Sequence, residues 1–322
     1  MGGEVQQAGG ERTDAVAGVV RELRVALSAR AEYRCSCCAL PGAEVPEGVL
    51  DAHQILTLVA AFASLGVRRV RLTGGAPETR PDLVRLLERI RAIPGVEDVA
   101  LTTSALHLAV LASRYRAAGV SRLGVRVDTL DAARLHRVAR RGASLADLVR
   151  GVEAAAAAGF DSLKLDTVVM RGVNDAELPA LARFAWRHGA VPRFIELMPY
   201  GRGDPVPVAE MKRALAAGGV RLSPESPGGF GSTECLRGEV QDGPGSVGGP
   251  IRLVGPMSPD RCRGCRRVRV GPDGAMRACL ARPVETRLAP LLRDGAGVQA
   301  IADHVAAALG GPASSGAFTG TA

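Results

Sequence analysis

Residues 24–38 read RVALSARAEYRCSCC, an apolar, strand-like run that empties into a loop carrying three cysteines within four residues. Thiols this dense at the end of a strand point to a metal, and here to an iron–sulfur cluster at the mouth of a barrel. Working outward, the same strand-like character recurs at 21–28 (RELRVALS), 68–73 (RRVRLT), 98–103 (DVALTT), 122–130 (RLGVRVDTL), 162–170 (SLKLDTVVM) and 192–198 (PRFIELM). Between these runs lie helical patterns. Ile55, Leu56, Val59, Phe62 and Leu65 share one face, and Leu83, Leu86, Leu87 and Ile90 repeat it. Leu106 to Ala118 and Leu178 to Trp186 continue the beat. Six strand–helix units in succession predict parallel strands joined by right-handed crossovers. The expected fold is therefore α/β, an incomplete (β/α)6 TIM-like barrel with a C-terminal iron–sulfur-binding extension. In that architecture the working residues sit just beyond the C-terminal ends of the strands, and the unusual residues of this chain cluster there.

The expected organisation is a loose tail over residues 1–20, the barrel over 21–225, a C-terminal region over 226–311 and a second loose tail over 312–322. Within the third segment, 226–250 (SPGGFGSTECLRGEVQDGPGSVGGP) reads as a loop-like connection rich in Gly, Ser and Pro. Short strands at Ile251–Val254 and Val268–Val270 follow, with a hairpin turn at GPDG and a last helix from Val298 to Leu309.

Composition narrows the function classes. The 322 residues carry a net charge of +8, but just two of the 41 basic residues are lysines, which reads as compositional bias rather than a nucleic-acid surface. There is no Lys/Arg tract, and at 3% aromatic residues, stacking platforms for single strands are scarce. No apolar run is long enough to span a membrane, and the first 20 residues lack the pattern of a secretory signal. Seven clustered cysteines fit metal binding in a reducing compartment better than a disulfide framework, so the expected location is cytoplasmic.

The strongest single motif is Cys262-x2-Cys265-x13-Cys279, two ligands from a tight turn and a third from across a hairpin. A zinc ion would want a fourth ligand, for which Cys235 or a histidine is available, whereas a four-iron cluster tolerates three thiolates and leaves one iron open. Arg266, Arg267 and Arg269 follow Cys265 directly; in a strand, Arg267 and Arg269 share a face and suit phosphate oxygens. Leu72-Thr73-Gly74-Gly75-Ala76-Pro77, after the second strand, lets backbone approach a ligand closely.

In their order, these motifs resemble the radical S-adenosylmethionine enzymes, and within them the MoaA family of GTP 3′,8-cyclases of molybdenum cofactor biosynthesis. The matching stretches are RVALSARAEYRCSCC, RRVRLTGGAPETRPDL, LTTSALHL, RVDTLD, LKLDTVVMRGVNDAEL, RFIELMPYGR and CRGCRRVRVGPDGAMRACL, collinear from residue 21 to about 311. The resemblance implies that Cys262, Cys265 and Cys279 hold an auxiliary 4Fe–4S cluster whose open iron meets the guanine. It places Arg24, Arg69 or Arg71, Thr102, Lys164, Arg267 and Arg269 against GTP. It also implies a second 4Fe–4S cluster and S-adenosylmethionine, with Gly75, Met198 and the positions of Cys37 and Arg126 at that cofactor. In the family's chemistry a deoxyadenosyl radical takes the ribose 3′ hydrogen, and the carbon radical adds to guanine C8. Partners implied are GTP and a downstream molybdopterin-pathway protein; nucleic acid and membrane are not expected, and a homodimer is left open.

The cofactor half departs from the family pattern. The Cys-x3-Cys-x2-Cys positions are filled here by Ala31, Cys35 and Cys38, and Cys37 stands where the family has an aromatic residue. Ala76 replaces the carboxylate of Gly-Gly-Glu-Pro, Thr-Thr-Asn-Gly becomes Thr102-Thr103-Ser104-Ala105, and Arg126 replaces a serine. Two readings follow: a GTP 3′,8-cyclase, or a homologue that binds GTP and an auxiliary cluster without radical activity, in an accessory or regulatory role.

Overall fold

The computed structural model describes residues 20–28, 48–105, 107–138, 144–198, 203–225, 233–255, 266–278 and 286–310. Six strands alternate with helices: β1 (Glu22–Ala26), α1 (Ala52–Ser64), β2 (Arg69–Thr73), α2 (Leu83–Arg91), β3 (Asp98–Ser104), α3 (Leu108–Ala117), β4 (Val120–Arg126), α4 (Ala132–Val138), α5 (Leu145–Ala157), β5 (Ser162–Val169), α6 (Leu178–Arg187), β6 (Val191–Glu196) and α7 (Val208–Ala217). The strands β1 to β6 pair in chain order, all parallel. The chain continues through β7 (Arg221–Pro224), β8 (Thr233–Asp242), β9 (Gly245–Val254), β10 (Arg267–Val270), β11 (Ala275–Arg277), β12 (Thr286–Arg287), α8 (Ala289–Arg293) and α9 (Val298–Gly310).

These later strands extend both flanks. β9 lies parallel to β6 and β10 parallel to β1, while β8 and β7 on one side and β11 and β12 on the other are antiparallel additions. The product is a 12-stranded mixed sheet, open between β12 and β7, in keeping with the incomplete barrel read from the six-unit beat. Among the described residues no helix is long and apolar enough to cross a membrane.

Parallel strands are usually apolar on both faces because helices cover both. Here they alternate. Leu23 and Val25, Val70 and Leu72, Val99 and Leu101, Leu123 and Val125, and Val268 and Val270 are buried. Helices such as α1, whose Ile55, Leu58, Val59 and Phe62 are fully buried, complete this apolar layer. Each such side chain contributes roughly 2 kcal/mol of transfer free energy. An Asp51–Gln54 capping box fixes the start of α1, and α9 packs along it. The residues between these apolar positions are Glu22, Arg24, Arg71, Arg122 and Lys164, so the uncovered inner face is charged.

One expectation fails over its described part. Residues 233–250 are not a loop-like connection, because β8 and the first half of β9 form a long antiparallel hairpin there, Asp242 pairing with Gly245 at its tip. Gly238, Gly248 and Gly249, among the glycines that suggested a loop, serve close packing instead. Gly238 lies under the indole of Trp186, where a Cβ would come within 2.6 Å of the ring, and Trp186 Nε1 donates to the Pro250 carbonyl at 3.0 Å. Residues 226–232 lie outside the described residues.

Candidate functional site

The inner face is built by register. Glu22 of β1 stands beside Arg267 of β10 and Arg69 of β2; Arg24 stands beside Arg269 and Arg71. Across the sheet, Thr102 of β3, Gly124 of β4 and Lys164 of β5 form one row, and Asp166 of β5 faces Arg193 of β6 in the next. Period-two alternation turns these side chains to the same side, so chain segments far apart in sequence meet on one surface.

Glu22 is the hub. Its Oε1 accepts from Arg24 Nε at 2.6 Å and lies 3.7 Å from Arg71 Nε, and its Oε2 lies 3.8 Å from Arg122 Nη2. Burial pushes this carboxyl up, but Arg24, Arg71 and Arg122 together outweigh it and hold it at about 2. Asp166 accepts from Arg193 Nε at 2.6 Å in a two-pronged pair, and Asp98 takes Arg122 Nε at 2.9 Å. The basic groups still exceed these acids. Burial, with Arg193 and Arg71 adding to it against Asp166, depresses the Lys164 ammonium to about 8. Burial likewise depresses Arg71 to about 10; Glu22 opposes the shift, while Arg24, Arg193 and Arg122 add to it. Arg71 donates to Thr102 Oγ1 at 3.3 Å, yet its Nε is buried with no hydrogen-bond partner among the described residues. Among the described residues the cations of this surface outnumber its carboxylates, and fixed guanidiniums of this kind suit a polyanion.

Of the residues expected against the nucleotide, Arg24, Arg71, Thr102, Lys164, Arg267 and Arg269 converge here. Arg69 separates from them: it is exposed at the N-terminal end of β2, 3.8 Å from Asp98. Arg69 and Arg71, the two alternatives, thus differ in placement, the first exposed and the second buried. Glu22, Arg122, Asp166 and Arg193 were missed, though the alternation in RELR, RLGVR, KLD and PRF carries them on the same face as the residues that were named.

Of the residues expected at the cofactor, Gly75, Arg126 and Met198 lie at the C-terminal strand ends. Gly75 follows β2, Arg126 ends β4, and Met198 follows β6. Gly74 makes this possible: at φ +115° it passes so close to β1 that a Cβ would sit 2.8 Å from the Ser28 carbonyl oxygen. Gly75 N then donates to that oxygen at 2.9 Å. Arg126 is not an isolated cation, because its Nε donates to the buried Asp128 carboxylate at 2.6 Å. Asp128 in turn accepts from Val168 N at 3.0 Å, and its carbonyl accepts from the buried Asn174 Nδ2 at 2.8 Å. Asn174 also receives Met170 N, which gives the VVMRGVND stretch its part in clamping β4 to β5. Glu78, in a short turn at Pro77–Thr79, reaches across to β3 and accepts from Thr103 Oγ1 at 2.7 Å and from Ser104 N at 3.2 Å.

The cysteines Cys35, Cys37, Cys38, Cys262, Cys265 and Cys279, and Ala31 with them, lie outside the described residues. Among the described residues no group of three or more His, Cys, Asp or Glu side chains could hold a metal ion. Cys235 is half-buried on β8, opposite Arg252 of β9. For an adenosyl-sulfonium cofactor bearing an amino-acid head, the described donor set fits. Glu78 offers a carboxylate for an ammonium group, and the Asp128 counter-charge cancels the repulsion that a bare Arg126 would exert.

Two family models match the chain. Residues 26–185 match the family model described as Radical SAM superfamily, and residues 191–311 match Molybdenum Cofactor Synthesis C. A GTP 3′,8-cyclase of Heliobacterium modesticaldum is 38% identical over 293 residues, covering 88% of each chain. The GTP 3′,8-cyclase of Pelotomaculum thermopropionicum is 37% identical over 301 residues, covering 90% of each. Among solved structures, Streptococcus suis SuiB bound to S-adenosylmethionine superposes with a TM-score of 0.58 over 88% of this chain and 68% of its own, at 13% identity, a likeness of fold alone.

Proposed function

This chain belongs to the radical SAM superfamily and, within it, to the family of GTP 3′,8-cyclases, and on that premise we propose that it binds GTP on the basic inner face and cyclises it for molybdenum cofactor biosynthesis. The observation that carries the reading is the surplus of buried positive charge around Arg71, Lys164 and Arg193, which has no use in a merely structural barrel. A triphosphate would supply the missing counter-charge. Arg24, Arg71, Arg267 and Arg269 bind its oxygens as fixed forks, Lys164 adds a mobile charge, and Thr102 orients Arg71. Glu22 and Asp166 hold the guanidiniums in place before the nucleotide arrives, so little side-chain entropy is lost on binding.

Cys262, Cys265 and Cys279 would hold one 4Fe–4S cluster, and Cys35 and Cys38 with one further ligand a second. S-adenosylmethionine at that second cluster would supply the radical that starts the reaction. A GTP-binding homologue without radical chemistry is the rival reading, and one observation favours it: Ala31 stands at the first of the three ligand positions. The test is iron per chain after anaerobic reconstitution, followed by assay for 5′-deoxyadenosine and cyclised nucleotide. About eight irons, from two four-iron clusters, with both products formed, is the expected result. About four irons with no deoxyadenosine would transfer the assignment to the rival, and failure to bind GTP would remove both.

A further inference from the structure

Glu78 differs from three other carboxylates in the loops that follow the strands. Asp82, Asp128 and Glu177, in the loops after β2, β4 and β5, each pair with an arginine: Arg80 at 2.9 Å, Arg126 at 2.6 Å and Arg134 at 2.7 Å. Glu78 accepts from Thr103 Oγ1, Ser104 N and Ser104 Oγ, all neutral donors, and no cation pairs with it among the described residues. Among the described residues Glu78 is thus a half-buried carboxylate whose hydrogen-bond partners are all neutral. An ionised carboxylate offers about four lone-pair positions, so three neutral donors aim it and leave room for a charged one.

Its location limits what that charged donor is. Ser104 lies directly across the parallel ladder from Arg126, and Asp128 neutralises Arg126. Glu78 therefore sets the sign of the field where the ends of β2, β3 and β4 meet. Ala76, two residues earlier, is 1% exposed and has no polar atom to offer. We propose that Glu78 is the residue that holds the α-ammonium of S-adenosylmethionine in this chain, supplying from position 78 the carboxylate that position 76 lacks. Thr103 and Ser104 act on it as positioning residues, fixing both carboxylate oxygens so that the remaining lone pair faces the strand ends. This rests on the cyclase reading above, since it requires that the chain bind the cofactor.

The test is equilibrium binding to the reconstituted full-length protein, with three ligands measured separately: S-adenosylmethionine, 5′-methylthioadenosine (which lacks the amino-acid head) and GTP. Glu78→Gln is expected to weaken S-adenosylmethionine at least about tenfold, the loss of one charge-assisted contact, and to leave the other two ligands within about twofold. Adding Ala76→Glu to that variant is expected to recover affinity. Unchanged S-adenosylmethionine binding in Glu78→Gln overturns the assignment. Equal loss of S-adenosylmethionine and 5′-methylthioadenosine also overturns it, marking Glu78 as a support of the loop. A wild-type protein that binds GTP but neither adenosyl ligand overturns the cyclase reading itself, and the assignment with it.

Discussion

On the inner face, Arg24, Arg71, Lys164 and Arg193 crowd around Glu22 and Asp166 with positive charge left over; at the strand ends, Arg126 with Asp128, Arg134 with Glu177 and Arg80 with Asp82 cancel in pairs. The two regions draw on the same side chains. They differ in what is left over: cations on the inner face and, at the strand ends, the carboxylate of Glu78, which no cation meets among the described residues. Like charges brought out of water raise one another's free energy, so a folded chain keeps an unbalanced set where a ligand completes it. A balanced set costs little and can orient neighbours, as the Asn174–Asp128–Arg126 chain does. The inner face is thus a place for a highly charged molecule, and the rim a place where single groups on a ligand are read one at a time.

The largest effect that would sharpen this contrast is on nucleotide affinity. Arg71→Ala removes a buried, incompletely bonded guanidinium, and the GTP dissociation constant is expected to rise about 10- to 100-fold, equivalent to about 1.5–3 kcal/mol. Arg69→Ala, one turn of the pleat away and exposed, is expected to leave it within about twofold. Titration calorimetry of both variants checks this, and equal losses would break the division between inner face and outer end.

Next comes acid stability. The Glu22 carboxyl is held at about 2 against an ordinary value of 4.5, so its ionisation favours the folded state. That contribution, about 3 kcal/mol, is fully present above about pH 4.5 and is lost as the pH falls toward 2. Glu22→Gln is expected to be less stable than wild type at pH 7 and to converge with it in acid, as urea melts at several pH values would register. A constant difference between the two proteins would refute the ion-pair hub.

The smallest effect is the pH dependence of GTP binding. Lys164, depressed to about 8, is mostly uncharged at pH 9, and a triphosphate beside it would restore the proton. Affinity is expected to fall as the pH rises from 7 to 9, by no more than about tenfold per pH unit because a single proton is taken up. Lys164→Gln is expected to flatten that dependence. A slope that survives the substitution would assign the titration to another group.

Much of the fold was legible because its signals are local. Each β1 to β6 run shows its apolar face at period two, and each following helix shows period 3.6, so six units and an open barrel could be read directly. The hairpin of β8 and β9 could not. Its glycines look like loop chemistry, and their reason, the ring of Trp186 lying against Gly238, belongs to a helix far earlier in the chain. The basic residues of the nucleotide face were found through motif resemblance, but their acidic partners were not. Glu22 and Asp166 matter through neighbours on other strands, which no single stretch of sequence displays. Glu78 is illegible in sequence for a similar reason: its three donors lie on β3, and no motif marks position 78.

The pairing of β10 with β1 has a consequence for synthesis. A nascent chain leaving the ribosome makes β1 first, with Glu22 and Arg24 already in place, but the strand that brings Arg267 and Arg269 beside them comes near the end. Until then β1 presents an unpaired edge, and so does β6 until β9 reaches it. The basic inner face is therefore completed late, when β9 and β10 dock on the two flanks.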